Sequence, residues 1–184
     1  IGLIDREKPA VVINAAALSE VALSNEVPVE YFETNTLAIV KLCNYLRKTT
    51  YLKQYVHISS AEIYGSCQTA LNEEALFNPS TPYAVSKAAA DMYINIIMKK
   101  YGFPATLIRT TNVYGKHQQL FKIIQRAIIY LKQGKVIELH GGGQAMKSFI
   151  HIRDVVDGIM LTIRLGKIGT YHFTVASDKT VADI

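Results

Sequence analysis

Apolar runs of four to ten residues alternate with amphipathic stretches along the chain, a strand-then-helix rhythm. Residues 10–14 (AVVIN) are β-branched and apolar and read as a buried strand. Over residues 27–48, Phe32, Asn35, Ile39, Leu42 and Leu46 recur on one face, which predicts a helix. Residues 51–60 (YLKQYVHISS) are rich in Tyr, Val and Ile and end in two serines, a strand running into a loop. Ser80, Thr81 and Pro82 then open a helix, with a hydroxyl cap candidate and proline near the first turn. It continues from Tyr83 to about Tyr101, where Lys99 and Lys100 complement the carbonyl end. Residues 105–109 form an apolar run suited to a buried strand. Further on, residues 117–133 read as a helix, 136–139 as a short strand, 153–165 as a helix with Asp154 in its first turn, and 171–175 as a last strand. Residues 180–183 resemble a helix start. The alternation predicts an α/β fold, a doubly wound parallel sheet covered by helices on both faces.

Composition narrows the class. The chain has 184 residues, 49% of them hydrophobic, enough to bury a sizeable core, and no low-complexity run, repeat or linker interrupts it. Its apolar runs are too short or too interrupted to span a membrane, and no basic-then-apolar leader opens the sequence, so a cytoplasmic location and no membrane partner are expected. Cys43 and Cys67 cannot build a disulfide framework and have no metal-ligand spacing with the five histidines; no metal is expected. A net charge of +5 suits an anionic ligand such as a dinucleotide or a nucleotide diphosphate, but the bases are dispersed, which argues against nucleic acid.

The chemistry concentrates in one segment, Ser59-Ser60-Ala61-Glu62 followed by Tyr83-Ala84-Val85-Ser86-Lys87. Tyr83 and Lys87 are one helical turn apart on a common face. An ammonium there favours the phenolate and would lower the tyrosine pKa, a route to a tyrosine base. With 11 tyrosines in 184 residues, chance alone supplies about one such Tyr-x-x-x-Lys pair, so the spacing is weak by itself. The company strengthens it: a strand ending in Ser-Ser a little over twenty residues upstream, and an earlier strand running into Ala15, Ala16 and Ala17. Small residues there let a backbone approach a flat ring or ribose closely, although for the triple alanine taken alone ordinary tight packing is the better explanation.

These residues resemble the extended short-chain dehydrogenase/reductase family, in its nucleotide-sugar dehydratase and epimerase branch. The similarity runs through VVINAAA at 11–17, FETN at 32–35, HISSAEIYG at 57–65, TPYAVSK at 81–87, TNVYG at 111–115 and SFIHIRD at 148–154. The resemblance implies a Rossmann-type sheet that binds NAD, with residues 1–115 in the NAD-binding domain. Residues 116–184 would be a mixed segment, substrate-domain elements interleaved with the last Rossmann strand and helix. Tyr83 would remove the hydroxyl proton as hydride leaves sugar carbon 4 for NAD. Lys87 would hold the nicotinamide ribose and depress the Tyr83 pKa, and Ser60 would hydrogen-bond the reacting hydroxyl. Ala15, Ala16, Ala17, Asn35 and Ser59 join Tyr83 and Lys87 as implied cofactor contacts.

Glu62 separates the branches. In the 4,6-dehydratases a glutamate at this place removes the carbon-5 proton before water leaves carbon 6. The dTDP-glucose dehydratases carry Asp-Glu here, whereas this chain has Ala61-Glu62, and alanine gives no proton. GDP-mannose 4,6-dehydratases and UDP-glucuronate decarboxylases keep the glutamate without the aspartate. The expected activity is a nucleotide-sugar 4,6-dehydratase; a 4-epimerase, which needs no Glu62, and a non-catalytic nucleotide-sugar-binding subunit stand as alternatives. Asn112, Lys122 and Lys147 match substrate contacts, Lys147 replacing the usual arginine and losing its bidentate fork. His151 is a minor nucleotide-side candidate. A homodimer is expected through the 27–48 and 83–101 helices, with Ala88, Ala89, Tyr93, Ile96 and Ile97 as its apolar surface. No G-x-G-x-x-G occurs, and Gly141-Gly142-Gly143 reads as a loop. The N-terminal glycine-rich unit is therefore expected to lie outside this sequence, as in an internal segment of a longer enzyme that holds a dinucleotide poorly by itself.

Overall fold

The computed structural model describes residues 1–67, 69–176 and 179–183. A short helix α1 (Gly2–Glu7) precedes strand β1 (Val11–Asn14). Helices α2 (Pro28–Phe32) and α3 (Ala38–Leu46) are joined end to end by a π-turn over Glu33–Leu37. Then follow β2 (Gln54–Ser60), α4 (Pro82–Tyr101), β3 (Ala105–Thr110), β4 (Asn112–Tyr114), α5 (Ile123–Lys132), β5 (Phe149–His151), α6 (Ile152–Arg164) and β6 (Gly169–Phe173). The main sheet has the order β1-β2-β3-β6, and β1 lies parallel to β2 with Val11 opposite Gln54 and Asn14 opposite His57. This is the expected α/β class, a Rossmann-type parallel sheet with flanking helices.

The chain divides into two compact units, Ile1–Arg109 with Ile159–His172, and Thr110–Gly158 with Phe173–Ile184. In the first, Ile39, Cys43 and Leu46 of α3 and Ala90, Ile94 and Ile97 of α4 bury one sheet face against Tyr55, Ala105 and Leu107. Every residue of β3 is buried, as a central strand covered on both faces requires. In the second unit β4 and β5 pair in parallel, Asn112 opposite Phe149 and Tyr114 opposite His151. Gly158 is forced by packing there, because a Cβ on it would come within 2.5 Å of the Phe173 ring. No helix among the described residues is long and apolar enough to cross a membrane.

Three expectations shift, each for a local reason, and one short helix stands where none is expected. The buried row of the 27–48 helix is Tyr31, Asn35, Ile39, Cys43 and Leu46, while Phe32 faces outward, because the wider π-turn advances the buried row by four residues at a time. The 117–133 helix begins only at Ile123: His117 takes a left-handed backbone (φ 68°), which a helix does not tolerate. Residues 136–139 are no strand; Val136 is 84% exposed and follows Gly134, whose φ of 63° ends α5. The short helix α1, with no buried residue, carries no periodic signal.

Candidate active site

Both β1 and β2 deliver their carboxyl ends side by side, the place where open α/β sheets bind ligands. At the end of β2 the Ser60 hydroxyl accepts from the Glu62 backbone N–H at 3.2 Å and so caps a tight turn over Ala61–Tyr64. Gly65 closes that turn at φ 65°, where a Cβ would lie 2.2 Å from the Asn78 carbonyl oxygen. The turn is thereby held in a single shape, with Glu62 at its start.

Tyr83 enters from the first turn of α4, whose start is fixed by Thr81: its hydroxyl accepts from Ala84 N–H at 3.2 Å, with Pro82 behind it. The Tyr83 ring is buried and meets the Tyr31 ring edge-on, centroids 6.3 Å apart. Its phenol titrates above the ordinary tyrosine value, not below it as expected from Lys87: burial is the largest cause, the Ser60 hydroxyl opposes it, and the Glu62 charge adds to it. Ser60, Glu62 and Tyr83 are thus brought together.

Lys87 lies one turn further along α4 and is only 2% exposed. Its ammonium donates to the Ile58 carbonyl at 2.7 Å, and burial lowers its pKa to about 8 against the opposing charge of Asp91. Ser59 is buried; its hydroxyl favours the Asp91 carboxylate without reaching hydrogen-bond geometry. Ala15 and Ala16 are exposed and Ala17 half-buried, so tight packing does not account for the alanine run. Asn35, read as a cofactor contact, is occupied within the fold instead. Buried in the π-turn, it accepts from Leu18 N–H at 3.0 Å and donates to Leu18 O at 3.0 Å and to Ser86 Oγ at 3.1 Å. It pins the loop after the alanines and offers no unused N–H to a ligand.

Of the residues matched to substrate contacts, Asn112 opens β4 and its side chain donates to the carbonyl of Ser148 at 3.2 Å, while Lys147 precedes Ser148 in the chain. Lys122 stands before α5 with its ammonium 5.4 Å from the centre of the Phe121 ring. His151 is half-buried and satisfied, its Nδ1 accepting from Arg153 N–H at 3.2 Å and its ring edge-on to Tyr114. Cys43 is a core thiol that burial pushes up to about 12, and Cys67 is exposed.

Sequence reasoning missed the layer beneath the site. Asp91 is fully buried and ion-paired to Arg109 Nε at 2.9 Å; Arg109 also donates to the Glu73 carbonyl at 2.9 Å and to the Tyr64 hydroxyl. His57 Nε2 lies 3.9 Å from Asp91 Oδ1, and burial, with the Lys87 charge, drives the imidazole pKa well down, so it is neutral. An arginine within an apolar strand demands a buried partner, and an acid four residues beyond Lys87 on one helix face supplies it; both signals stand in the sequence.

The known proteins to which the chain is similar include nucleotide-sugar dehydratases and epimerases. The chain is 30% identical over 171 residues to dTDP-D-glucose 4,6-dehydratase of Homo sapiens, covering 92% of this chain and 49% of that one. It is 28% identical over 196 residues to dTDP-glucose 4,6-dehydratase of Haemophilus influenzae, with 99% and 57% covered. A dTDP-glucose 4,6-dehydratase from Streptomyces venezuelae, solved with NAD bound, superposes with a TM-score of 0.85 at 30% identity, covering 93% of this chain and 54% of that one. A UDP-glucuronic acid 4-epimerase from Bacillus cereus shares the fold with a TM-score of 0.90 at 24% identity, over 99% and 58%. The chain spans about half the length of the curated relatives it matches. The pattern of the NAD dependent epimerase/dehydratase family extends over residues 1–176, and the chain belongs to that family.

Proposed function

We propose that the chain carries the catalytic centre of an NAD-dependent nucleotide-sugar 4,6-dehydratase. The observation that supports this most is the convergence at the end of β2, where the Ser60 hydroxyl and the Glu62 carboxylate both act on the Tyr83 phenol from a turn with one available shape. The residues present fit the nicotinamide end of a dinucleotide. Exposed Ala15 and Ala16 follow β1 at the carboxyl edge of the sheet, and Lys87 keeps N–H donors beyond the one given to Ile58. Ala17, Ser59 and Tyr83 would complete that contact, and Asn35 would serve it by bracing the loop. NAD held there would supply the hydride chemistry, accepting hydride from sugar carbon 4 and returning it at carbon 6, and its cationic ring would add charge that favours a Tyr83 phenolate.

Tyr83 takes the proton of the carbon-4 hydroxyl while Ser60 hydrogen-bonds the same oxygen. Glu62 then takes the carbon-5 proton, made acidic by the neighbouring ketone, and the same carboxyl gives that proton to the hydroxyl leaving carbon 6; once hydride is restored at carbon 6, carbon 5 takes back a proton, the one that Tyr83 holds, which returns Tyr83 to its starting state. One water is lost, and Ala61 needs to supply nothing. Asn112, Lys122 and Lys147 hold the nucleotide diphosphate sugar, Lys147 as a point charge on the diphosphate.

Ala61 is the observation that favours the second reading, a nucleotide-sugar 4-epimerase, which uses Ser60, Tyr83 and Lys87 alone. Glu62→Gln in the intact protein decides between them. A dehydratase loses water elimination while carbon-4 oxidation survives; unchanged turnover sinks the dehydratase reading, and no turnover by the unaltered protein favours a non-catalytic binding subunit.

The partner face for a homodimer is part of the same proposal, with its residues corrected. Ala88 and Ile97 turn into the core, and the exposed apolar row is Val85, Met92 and Ile96 on α4 beside Val29, Phe32 and Leu37. Met92→Glu with Ile96→Glu is expected to give a monomer in analytical ultracentrifugation, whereas an unchanged mass would exclude this face.

A further inference from the structure

We propose that Tyr64 is a positioning residue for Glu62: its phenol, held between Arg109 and His172, fixes the closing end of the turn that carries the carboxylate. The turn spans only Ala61–Tyr64, with the Ser60 cap at its start and the Gly65 N–H closing on the Glu62 carbonyl at 3.0 Å. A single turn of that length has little stability of its own, so its orientation is set by what its side chains reach. Ile63 and Tyr64 are its two buried side chains. The burial of Ile63 has no preferred direction, whereas Tyr64 ends in a hydroxyl whose bonds have defined directions.

The Tyr64 ring packs edge-on to Phe77 and to His172, centroids 5.8 and 5.3 Å away, which a phenylalanine would do as well. Its hydroxyl does more. It accepts from an Arg109 N–H on β3, so its own proton is directed to His172 Nε2 on β6, 2.7 Å away. Burial lowers the His172 pKa against the Glu73 charge, which keeps that nitrogen an acceptor. Both partners are themselves held. Arg109 donates to the Asp91 carboxylate and to the Glu73 carbonyl, each at 2.9 Å, and the His172 N–H donates to the Glu73 carboxylate at 2.9 Å. One hydroxyl thus ties the turn to two strands of the main sheet and, through them, to the loop that leads on to α4. Ser60 stands on β2 and Tyr83 on α4, both outside the turn, so Glu62 is the member of the site whose place depends on Tyr64.

What the carboxylate does there rests on the dehydratase reading, but its placement does not. The intact protein, isotopically labelled at the glutamate carboxyl carbons, is observed by NMR without NAD or sugar, and the Glu62 signal is assigned by its loss in Glu62→Gln. Tyr64→Phe, which keeps the ring packing, should displace that signal. Tyr171→Phe, which removes another β6-side hydroxyl bonded to the Ile168 carbonyl, should leave it in place. His172→Ala removes the acceptor and leaves Tyr64 whole; the same displacement is expected, and this variant carries the test if Tyr64→Phe does not fold. With NAD and dTDP-glucose as the probe, Tyr64→Phe should slow water loss about tenfold or more while carbon-4 oxidation keeps its rate within about twofold, so that reduced NAD accumulates. A residue that only stabilises the fold would lower both steps together. A Glu62 signal that stays in place in a folded variant, one that Tyr171→Phe moves as far, or equal slowing of both steps overturns the proposal. Absence of product from the unaltered protein counts against the dehydratase reading alone, and the Glu62 signal still decides the role of Tyr64.

Discussion

Replacing Lys87 by methionine should make the protein more stable while it abolishes turnover. Lys87 is buried, and its pKa falls from 10.5 to about 8, which corresponds to about 3 kcal/mol held against the charged form. Methionine has similar length and no charge to desolvate. It forfeits the 2.7 Å bond to the Ile58 carbonyl, at a cost of about 1 kcal/mol, so a net gain of about 2 kcal/mol is expected near neutral pH. Asp91 keeps its 2.9 Å partner Arg109 in the variant. The sign with pH is fixed by the direction of the shift. Below about 8 the lysine is charged in both folded and unfolded chains, and the burial cost is present in full. Between about 8 and 10.5 the folded chain sheds the proton first, so the unaltered protein gains on the variant and the gap closes. Urea unfolding at about pH 7 and about pH 10, read by circular dichroism, measures both. A variant less stable than the parent at neutral pH, or a gap that does not change between the two conditions, refutes the reasoning.

Two further substitutions probe the same site. Gly65→Ala places a Cβ 2.2 Å from the Asn78 carbonyl at a φ of 65°, and a loss of about 2 kcal/mol or more is expected in a thermal melt; a melting temperature equal to the parent's would show that the turn relaxes freely. Tyr83→Phe keeps the edge-on packing with Tyr31 and removes only the hydroxyl, so turnover should fall roughly 10²–10⁴-fold with folding unchanged, and near-parental turnover would remove Tyr83 from the chemistry.

The strands and the long α4 helix are legible in the sequence because their signals are local: apolar β-branched runs for β1, β2 and β3, and a Thr-Pro cap opening Pro82–Tyr101. What a local signal lacks is the third dimension. A 3.6-residue period puts Phe32 in the core, whereas the π-turn at Glu33–Leu37 gives that place to Tyr31. A left-handed His117 has no sequence mark comparable to glycine, so the apolar pattern sets the helix start six residues early. In the site, Ser60, Glu62, Tyr83 and Lys87 stand out by residue type and spacing. Asp91 and Arg109 matter through a contact between α4 and β3, and His57 through one between β2 and α4, contacts that exist only once the sheet has formed. For Asn35 the family resemblance implies a cofactor contact, whereas its amide is hydrogen-bonded to the loop at Leu18, a contact that exists only in the folded chain.

Supplying the intact protein with NAD and a panel of nucleotide hexoses, and identifying the product by mass and NMR, tests the central claim most directly. A 4-keto-6-deoxy nucleotide sugar, one water lighter than its substrate, is the predicted product. A carbon-4 epimer of unchanged mass, or no conversion of any nucleotide hexose offered, would contradict it.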